Sequence, residues 1–388
     1  MVNQSSPRTG SPPLEITCSR NCLSWLSEQQ ISLAFTTYQT NRLFLVGLKS
    51  EGQLSIFERL FDRPMGLYAT SERLYLSSRY QLWQLDNALL PGQRYNGYDK
   101  LYIPRLAHTT GDLDIHDVAV EESGRIVFAN TLYSCLATTS DRYSFTPLWH
   151  PPFIDKLAPE DRCHLNGIAL VDGQPGYATA ISRSDVAAGW REKRQSGGCL
   201  IDVRTNQLLL TDLSMPHSPR WYRDKLWLLN SGTGDFGYVD FARGCFNAIA
   251  FCPGYLRGLA FYKDWAIVGL SQTRRDRPSP ERAFSGLALD ERLAAKEATS
   301  RCGLAIINLN TGNIDHWLYL EGIITELYDV QVLPQVKRPM ALGFRTDEIC
   351  HFITVDPQQS SISESRNEPF IQDAQKQGQI FPNLEGRF

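Results

Sequence analysis

No stretch of this sequence approaches the ~20 consecutive apolar residues that carry a helix across a bilayer, so a membrane-spanning helix is excluded. The amino-terminal segment MVNQSSPRTGSPP lacks the apolar core of a secretory leader, and a cytoplasmic location is the expectation. An excess of one charge is missing too, with 39 Lys and Arg against 42 Asp and Glu for a net charge of −3. Nucleic-acid binders carry a clear basic excess or patch, so neither a nucleic-acid nor a membrane partner is expected. The short basic run at Arg191, Lys193 and Arg194 reads as a solvated loop. The nine cysteines are odd in number, and only Cys18 and Cys22 lie close together. That pattern fits reduced thiols, most of them buried as small apolar groups. No second Cys/His pair at matching spacing turns Cys18 and Cys22 into a zinc site. The HExxH and CxxC…CxxC patterns are absent, and nucleophile signatures of the GxSxG type have no supporting context.

Helical periodicity is scarce as well. Short apolar runs punctuated by Gly, Asn, Asp and Pro take its place, which is the pattern of an all-β chain. The runs recur. From Pro219 to Phe251 the chain reads PRWYR, KLWLLNSG, GTGD, FGYVDF, ARG and CFNAIAF, or four strands joined by hairpins, and PGYLRGLAFY then restarts the order. Four-stranded meanders repeated in this way are propeller blades. GTGDFG lies between two strands and is therefore a hairpin, not a phosphate loop. Seven middle strand pairs can be counted, from ISLAFTTYQTNRLFLVGL to PMALGFRTDEICHFITVD. Six inner strands precede them (MGLYAT, DVAVE, GIALV, PRWYR, GLAFY and DVQVL), and LEITCS is the candidate for a seventh. The spacing predicts a β-propeller of seven four-stranded blades, with six the alternative if the two chain ends combine into one blade. It also predicts a short helix over Leu23–Gln30, a second over Leu287–Ala298, and one propeller domain over 14–356. The ends, 1–13 and 357–388, are expected to be mobile.

Inner strands of a propeller line its axis, and the loops leading into them share one face, where function usually sits. These lead-ins are polar. They carry Arg63 in DRPMGL, His116 and Asp117 in DIHDVAV, and His164 and Asn166 in CHLNGIAL. His217 and Arg220 lie in PHSPRW, Arg257 in YLRGLAF, and Glu326, Tyr328 and Asp329 in ITELYDVQVL. Three of the seven histidines thus fall on three successive blades, at what reads as one structural position. Neutral imidazoles converging on an axis suit Fe, Zn, Cu or Mn, so His116, His164 and His217 are the candidate metal ligands, with Glu326 or Asp329 as a fourth. Asp117 and Asn166 are placed to orient the rings, and Asp117 and Tyr328 are the candidate catalytic groups. Arg63, Arg220 and Arg257, with Asn166, are the candidate substrate-binding groups, since arginines hold a carboxylate or phosphate by paired hydrogen bonds. The competing reading is a polar plug in which the arginines bridge to Asp117, Glu326 and Asp329. The long links 183–197 and 272–301 belong to the same face and are expected to cover it, and Trp190, Trp149 and Trp221 are candidate stacking walls.

The long motifs FDRPMGL, TTGDLDIHDVAV, EDRCHLNGIAL, SMPHSPRWY, LNSGTGDFGYVD, PGYLRGLAF and ELYDVQVLP resemble a bacterial family of conserved hypothetical proteins, frequent in cyanobacteria, over roughly residues 23–355. The likeness implies one domain and one site and no particular substrate. HLNGIAL is also similar, more distantly, to the Asn-Gly lead-in of gluconolactonase-type propellers, which implies a metal-binding role for Asn166 alone. Two functions follow as expectations. One is a metal-dependent hydrolase or oxidoreductase acting on an anionic substrate. The other is a non-catalytic propeller that binds a peptide or small acid on the same face.

Overall fold

Runs such as RLFLVGL, KLWLLN and WAIVGLS are apolar at consecutive positions, which a strand tolerates only when both its faces are covered. In the computed structural model, which describes residues 14–273, 286–345 and 347–355, these runs are middle strands, second or third from the axis, of sheets stacked face to face around it. Outer strands such as Cys245–Phe251 are largely exposed or half-buried, and their apolar content is correspondingly lower.

Six sheets make the ring. Blade 1 joins Val330–Pro334 to Ile31–Thr37, Arg42–Leu48 and Leu54–Leu60. Blade 2 runs Leu67–Ala69, Arg73–Ser77, Gln81–Asn87 and Lys100–Thr109. Blade 3 runs Ile115–Val120, Ile126–Asn130, Cys135–Thr138 and Thr146–Trp149, and blade 4 runs Leu165–Val171, Gln174–Ala180, Gly198–Asp202 and Leu208–Leu213. Blade 5 runs Pro216–Tyr222, Lys225–Asn230, Asp235–Asp240 and Cys245–Phe251. Blade 6 runs Tyr255–Tyr262, Trp265–Ser271, Gly303–Asn308 and Ile314–Glu321.

The six-bladed alternative is therefore the one adopted. The chain ends meet in blade 1, where Ile31 pairs with Pro334 and Phe35 with Val330, antiparallel. DVQVL from the carboxy-terminal side fills that inner position, so LEITCS has no axis to line. Glu15–Cys18 instead adds a fifth, outermost strand to blade 6 by pairing with Ile314–Glu321. The supposed seventh middle pair dissolves as well. Pro339–Ala341 is a parallel edge strand on Lys100–Thr109, and Glu348–His351 is helical. Residues through Ala341 form one compact unit, and Leu342 onward forms a second. The expected mobile ends, 1–13 and 357–388, lie outside the described residues. The two expected helices span Cys22–Gln29 and Ala288–Ala295. No helix among the described residues is long and apolar enough to cross a membrane.

Neighbouring blades are tied at their inner strands by an alternating device. In blades 1, 3 and 5 the residue at the tie is Asp329, Asp117 or Ser218, and its side chain accepts the backbone N–H of Leu67, Ile168 or Gly258 on the next blade at 2.8, 2.9 and 3.0 Å. In blades 2, 4 and 6 the same position is Gly66, Gly167 or Gly258. A Cβ on Gly167 would stand 2.3 Å from Pro219 Cδ, and one on Gly258 would stand 2.8 Å from Asp329 Cα. A side chain on one blade thus faces a glycine on its neighbour, and the six strands close up without a gap.

Arg220 fills the middle of this ring. Its guanidinium donates to both Asp117 oxygens, at 2.8 and 3.1 Å, and to the carbonyls of Ile168, Pro219 and Leu259. It also stands 3.8 Å from Asp329. One side chain therefore links blades 1, 3, 4, 5 and 6. Asp117 and Asp329 are both 3% exposed, so removing their cation would strand two carboxylates in the interior. Replacing Arg220 by Met is expected to lower the unfolding free energy by about 3–5 kcal/mol. Urea denaturation measures this, and a loss below about 1 kcal/mol would show that the ring does not depend on the guanidinium.

Candidate functional site

The residues ahead of each tie fall into two tiers set by the strand period of two. One position before the tie stand Tyr328, Met65, His116, Asn166, His217 and Arg257, in blades 1 to 6. Two positions earlier stand Glu326, Arg63, Asp114, His164, Met215 and Tyr255. Register shifts at the starts of the inner strands of blades 4, 5 and 6 mark bulges, which re-aim side chains. Arg63, Asp114, His164 and Met215, all in the outer tier, share a left-handed backbone with φ of 49–53°. The three histidines therefore do come from successive blades but not from one position. His116 and His217 belong to the inner tier, and His164 belongs to the outer.

Ring contacts connect five blades in an arc. His164 stands 4.6 Å from His116, and His116 stands 5.6 Å from Tyr328, as ring centroids. The Arg257 guanidinium lies 5.2 Å from the Tyr328 ring and 5.0 Å from that of Tyr255, which stands 5.7 Å from His217. Arg257 also donates to Tyr38 Oη at 2.9 Å and stands 3.8 Å from Glu326. Blade 2 joins through Arg63, which bridges to Asp112 and lies 3.6 Å from Asp114.

His116 and His217 are held alike. Nδ1 of His116 lies 2.8 Å from Asp114 O and 2.9 Å from Thr131 Oγ1, and the Thr131 hydroxyl donates its own proton to Leu165 O at 2.6 Å. Nδ1 of His217 lies 2.9 Å from Met215 O and 3.2 Å from Ser231 Oγ, and Ser231 donates to Leu256 O at 2.6 Å. A carbonyl only accepts, and each hydroxyl has spent its proton, so Nδ1 carries the hydrogen in both rings. That leaves Nε2 with a lone pair. Burial, opposed in part by Asp114, lowers His116 to about 4. Burial and then the charge of Arg257 lower His217 well below the usual imidazole range. Both rings are neutral near pH 7. His217 Nε2 and Tyr328 Oη are buried and without a hydrogen-bond partner, on residues only 3% and 5% exposed.

His164 is tethered differently. Its Nδ1 lies 3.0 Å from both oxygens of Asp161, and Trp190 stacks on it at 4.1 Å while donating to the same Asp161 at 2.7 Å. Trp190 belongs to the link 183–197, whose Gln195 donates to Gly286 O in the second long link. Ile181, Trp190, Met215, Tyr255, Leu287, Leu289 and Leu293 form an apolar cluster over this side of the arc. Burial raises Glu326 to about 8 and Tyr328 well above the ordinary phenol, while His116, His164, Arg63 and Arg257 outweigh burial to hold Asp114 below its ordinary value.

Of the remaining sequence candidates, three sit one layer further in and Asn166 shares the inner tier. Asp117, Asp329 and Arg220 form the central ion cluster, with Asp329 accepting the N–H groups of Leu67 and Val330. Asn166 donates to Pro216 O at 3.0 Å and accepts from Thr179 at 2.8 Å. Among the described residues, no three His, Cys, Asp or Glu side chains gather into a group that could hold a metal ion. Sequence reasoning passed over Asp114, Thr131, Asp161 and Tyr255 as site residues. The i−2 spacing of Asp114 to His116 and the i−3 spacing of Asp161 to His164 were the available signals.

A family model described as a domain of unknown function (DUF4915) matches residues 20–342. No curated protein matches the sequence. Similar solved structures include a chain of a nidogen/laminin complex, 12% identical, with a TM-score of 0.48, covering 79% of this chain and 99% of that one. A computationally designed protein, Ika8, is 10% identical with a TM-score of 0.32, covering 81% and 77%.

The two principal shifts have opposite consequences for stability. A depressed imidazole contributes stability above about 6.5 that is lost as pH falls through about 4, because the unfolded chain takes the proton first. A raised carboxyl does the reverse: folded Glu326 keeps its proton to about 8 while the unfolded chain ionises from 4.5, so stability is lost as pH rises between them. Glu326→Gln should therefore gain stability relative to the parent at pH 8 and gain least at pH 5. Thermal unfolding of both proteins across that range measures the difference, and a gap independent of pH would contradict it.

Proposed function

The chain belongs to the DUF4915 family, which carries no activity to inherit, and from the site's chemistry we propose that it binds a small organic acid among Arg257, Tyr328, His116 and His217. The observation that carries this reading is His217 Nε2, a buried lone pair with no partner, in a cluster whose cation is Arg257. Buried polar atoms are normally satisfied, and those left over in a cluster of this kind mark where a ligand's atoms go. Burial and Arg257 together hold the imidazoles neutral, so the local field disfavours an added cation and favours a carboxylate. The Arg257 guanidinium supplies paired donors for that carboxylate, and the orphan Tyr328 hydroxyl can add another. This is the binding reading among the two expectations. It makes Asp117, Arg220, Asp329 and Asn166 the support of the site, since their polar groups are engaged with one another and with the backbone.

A metal centre is the second reading, favoured by one feature. All three histidines are tethered through Nδ1, the arrangement metal-ligating imidazoles show. His116, His164 and His217 would then supply Nε2, with Glu326 or Asp329 as the expected carboxyl. Fe, Zn, Cu or Mn content of the purified protein, compared with that of a His164→Ala variant, distinguishes the two.

Arg257→Met is expected to weaken binding of a three-carbon acid by at least about tenfold. Titration calorimetry with lactate reads this. Equal affinity in the variant, with its thermal unfolding unchanged, would overturn the small-acid reading.

A further inference from the structure

We infer that the acid this site takes is a hydroxy acid, whose neutral O–H groups are received by the Nε2 atoms of His116 and His217. The inference rests on the small-acid reading and specifies its chemistry.

Each Nδ1 faces a backbone carbonyl, Asp114 O or Met215 O, which can only accept. The flanking hydroxyls of Thr131 and Ser231 give their protons to Leu165 O and Leu256 O on the following blades. The tautomer is thus fixed from two sides, and the fixing groups belong to the ties between blades. Nε2 can then act only as an acceptor while the ring is neutral.

A ligand made solely of acceptors, such as sulfate or an unsubstituted carboxylate, would set its oxygens against those lone pairs. It would fit only by protonating a ring. Both rings are buried, at 7% and 3% exposed, and an imidazolium formed there would stand beside the Arg257 cation. The groups facing His116 are Asp114, His164 and Arg257, and those facing His217 are Arg257, His116 and His164. An ammonium donor would bring a second cation to the Arg257 side of the cluster. Neutral hydroxyls satisfy the lone pairs with no change of charge. The hydroxyls sit on the same small molecule as the carboxylate because both rings join Arg257 in one arc through Tyr328 and Tyr255.

The test uses the full chain at pH 7 and four three-carbon acids: propionate, lactate, glycerate and alanine. Titration calorimetry in two buffers of different ionisation enthalpy gives affinity and proton uptake together. Affinity is expected to rise from propionate to lactate to glycerate, roughly two- to tenfold per hydroxyl, with alanine weakest and no proton taken up. His217→Phe should remove the advantage of glycerate over propionate, and an advantage that survives in this variant would overturn the hydroxy-acid inference. Equal affinities for propionate and glycerate, or uptake of a proton on binding, would overturn the hydroxy-acid inference and leave the small-acid reading standing. Binding of none of the four would overturn both.

Discussion

Closing six sheets into a ring brings the polar lead-ins of six strands together where little water reaches, so every donor and acceptor there must find its partner inside the ring. The rest of the structure follows from how that requirement is met. Asp329, Asp117 and Ser218 satisfy N–H groups on the next blade. The Thr131, Ser231 and Ser271 hydroxyls satisfy carbonyls there. Arg220 then uses its own donors on a carboxylate and three carbonyls. Alternation of a polar side chain with a glycine makes room for each tie. This spends most of the polar groups nearest the axis on cohesion.

The site is what this bookkeeping leaves over. The same ties that join the blades fix the Nδ1 hydrogens of His116 and His217, because Thr131 and Ser231 serve both purposes. Structure and site chemistry are therefore not separable here. Weakening a tie between blades also frees a ring to change tautomer, so variants at Thr131 or Ser231 are expected to act on the proposed ligand recognition as well as on stability. The cover formed by Trp190 and the helix Ala288–Ala295 keeps the outer tier apolar on one side. That strengthens every electrostatic preference inside it.

Much of this was legible in the sequence. The recurrence of ISLAFTT, KLWLLN and WAIVGLS at the same place in their blades identified the propeller, and the polar lead-ins marked the face that carries the candidate site. Blade number was not legible, because LEITCS and PMALGF have strand composition, and only the pairing of DVQVL with ISLAF decides that they are edge strands. Nor was the division between ties and site. Asp117 and His116 are adjacent in sequence, yet a period of two sends one side chain into the ring and leaves the other in the arc. Arg220 and Arg257 looked equivalent for the same reason, although one lies two residues after its tie and the other one residue before. His164 was read as equivalent to His116, but it lies two residues further ahead of its tie.

The account turns on two neutral imidazoles that carry hydrogen on Nδ1 and a bare lone pair on Nε2. Nitrogen NMR of the full chain, labelled with 15N at histidine, reads that state directly, with His116→Asn and His217→Asn used for assignment. At pH 6.5 without ligand, both rings should show a protonated Nδ1 and an unprotonated Nε2. An Nε2–H tautomer, or an imidazolium, at either ring would contradict the account.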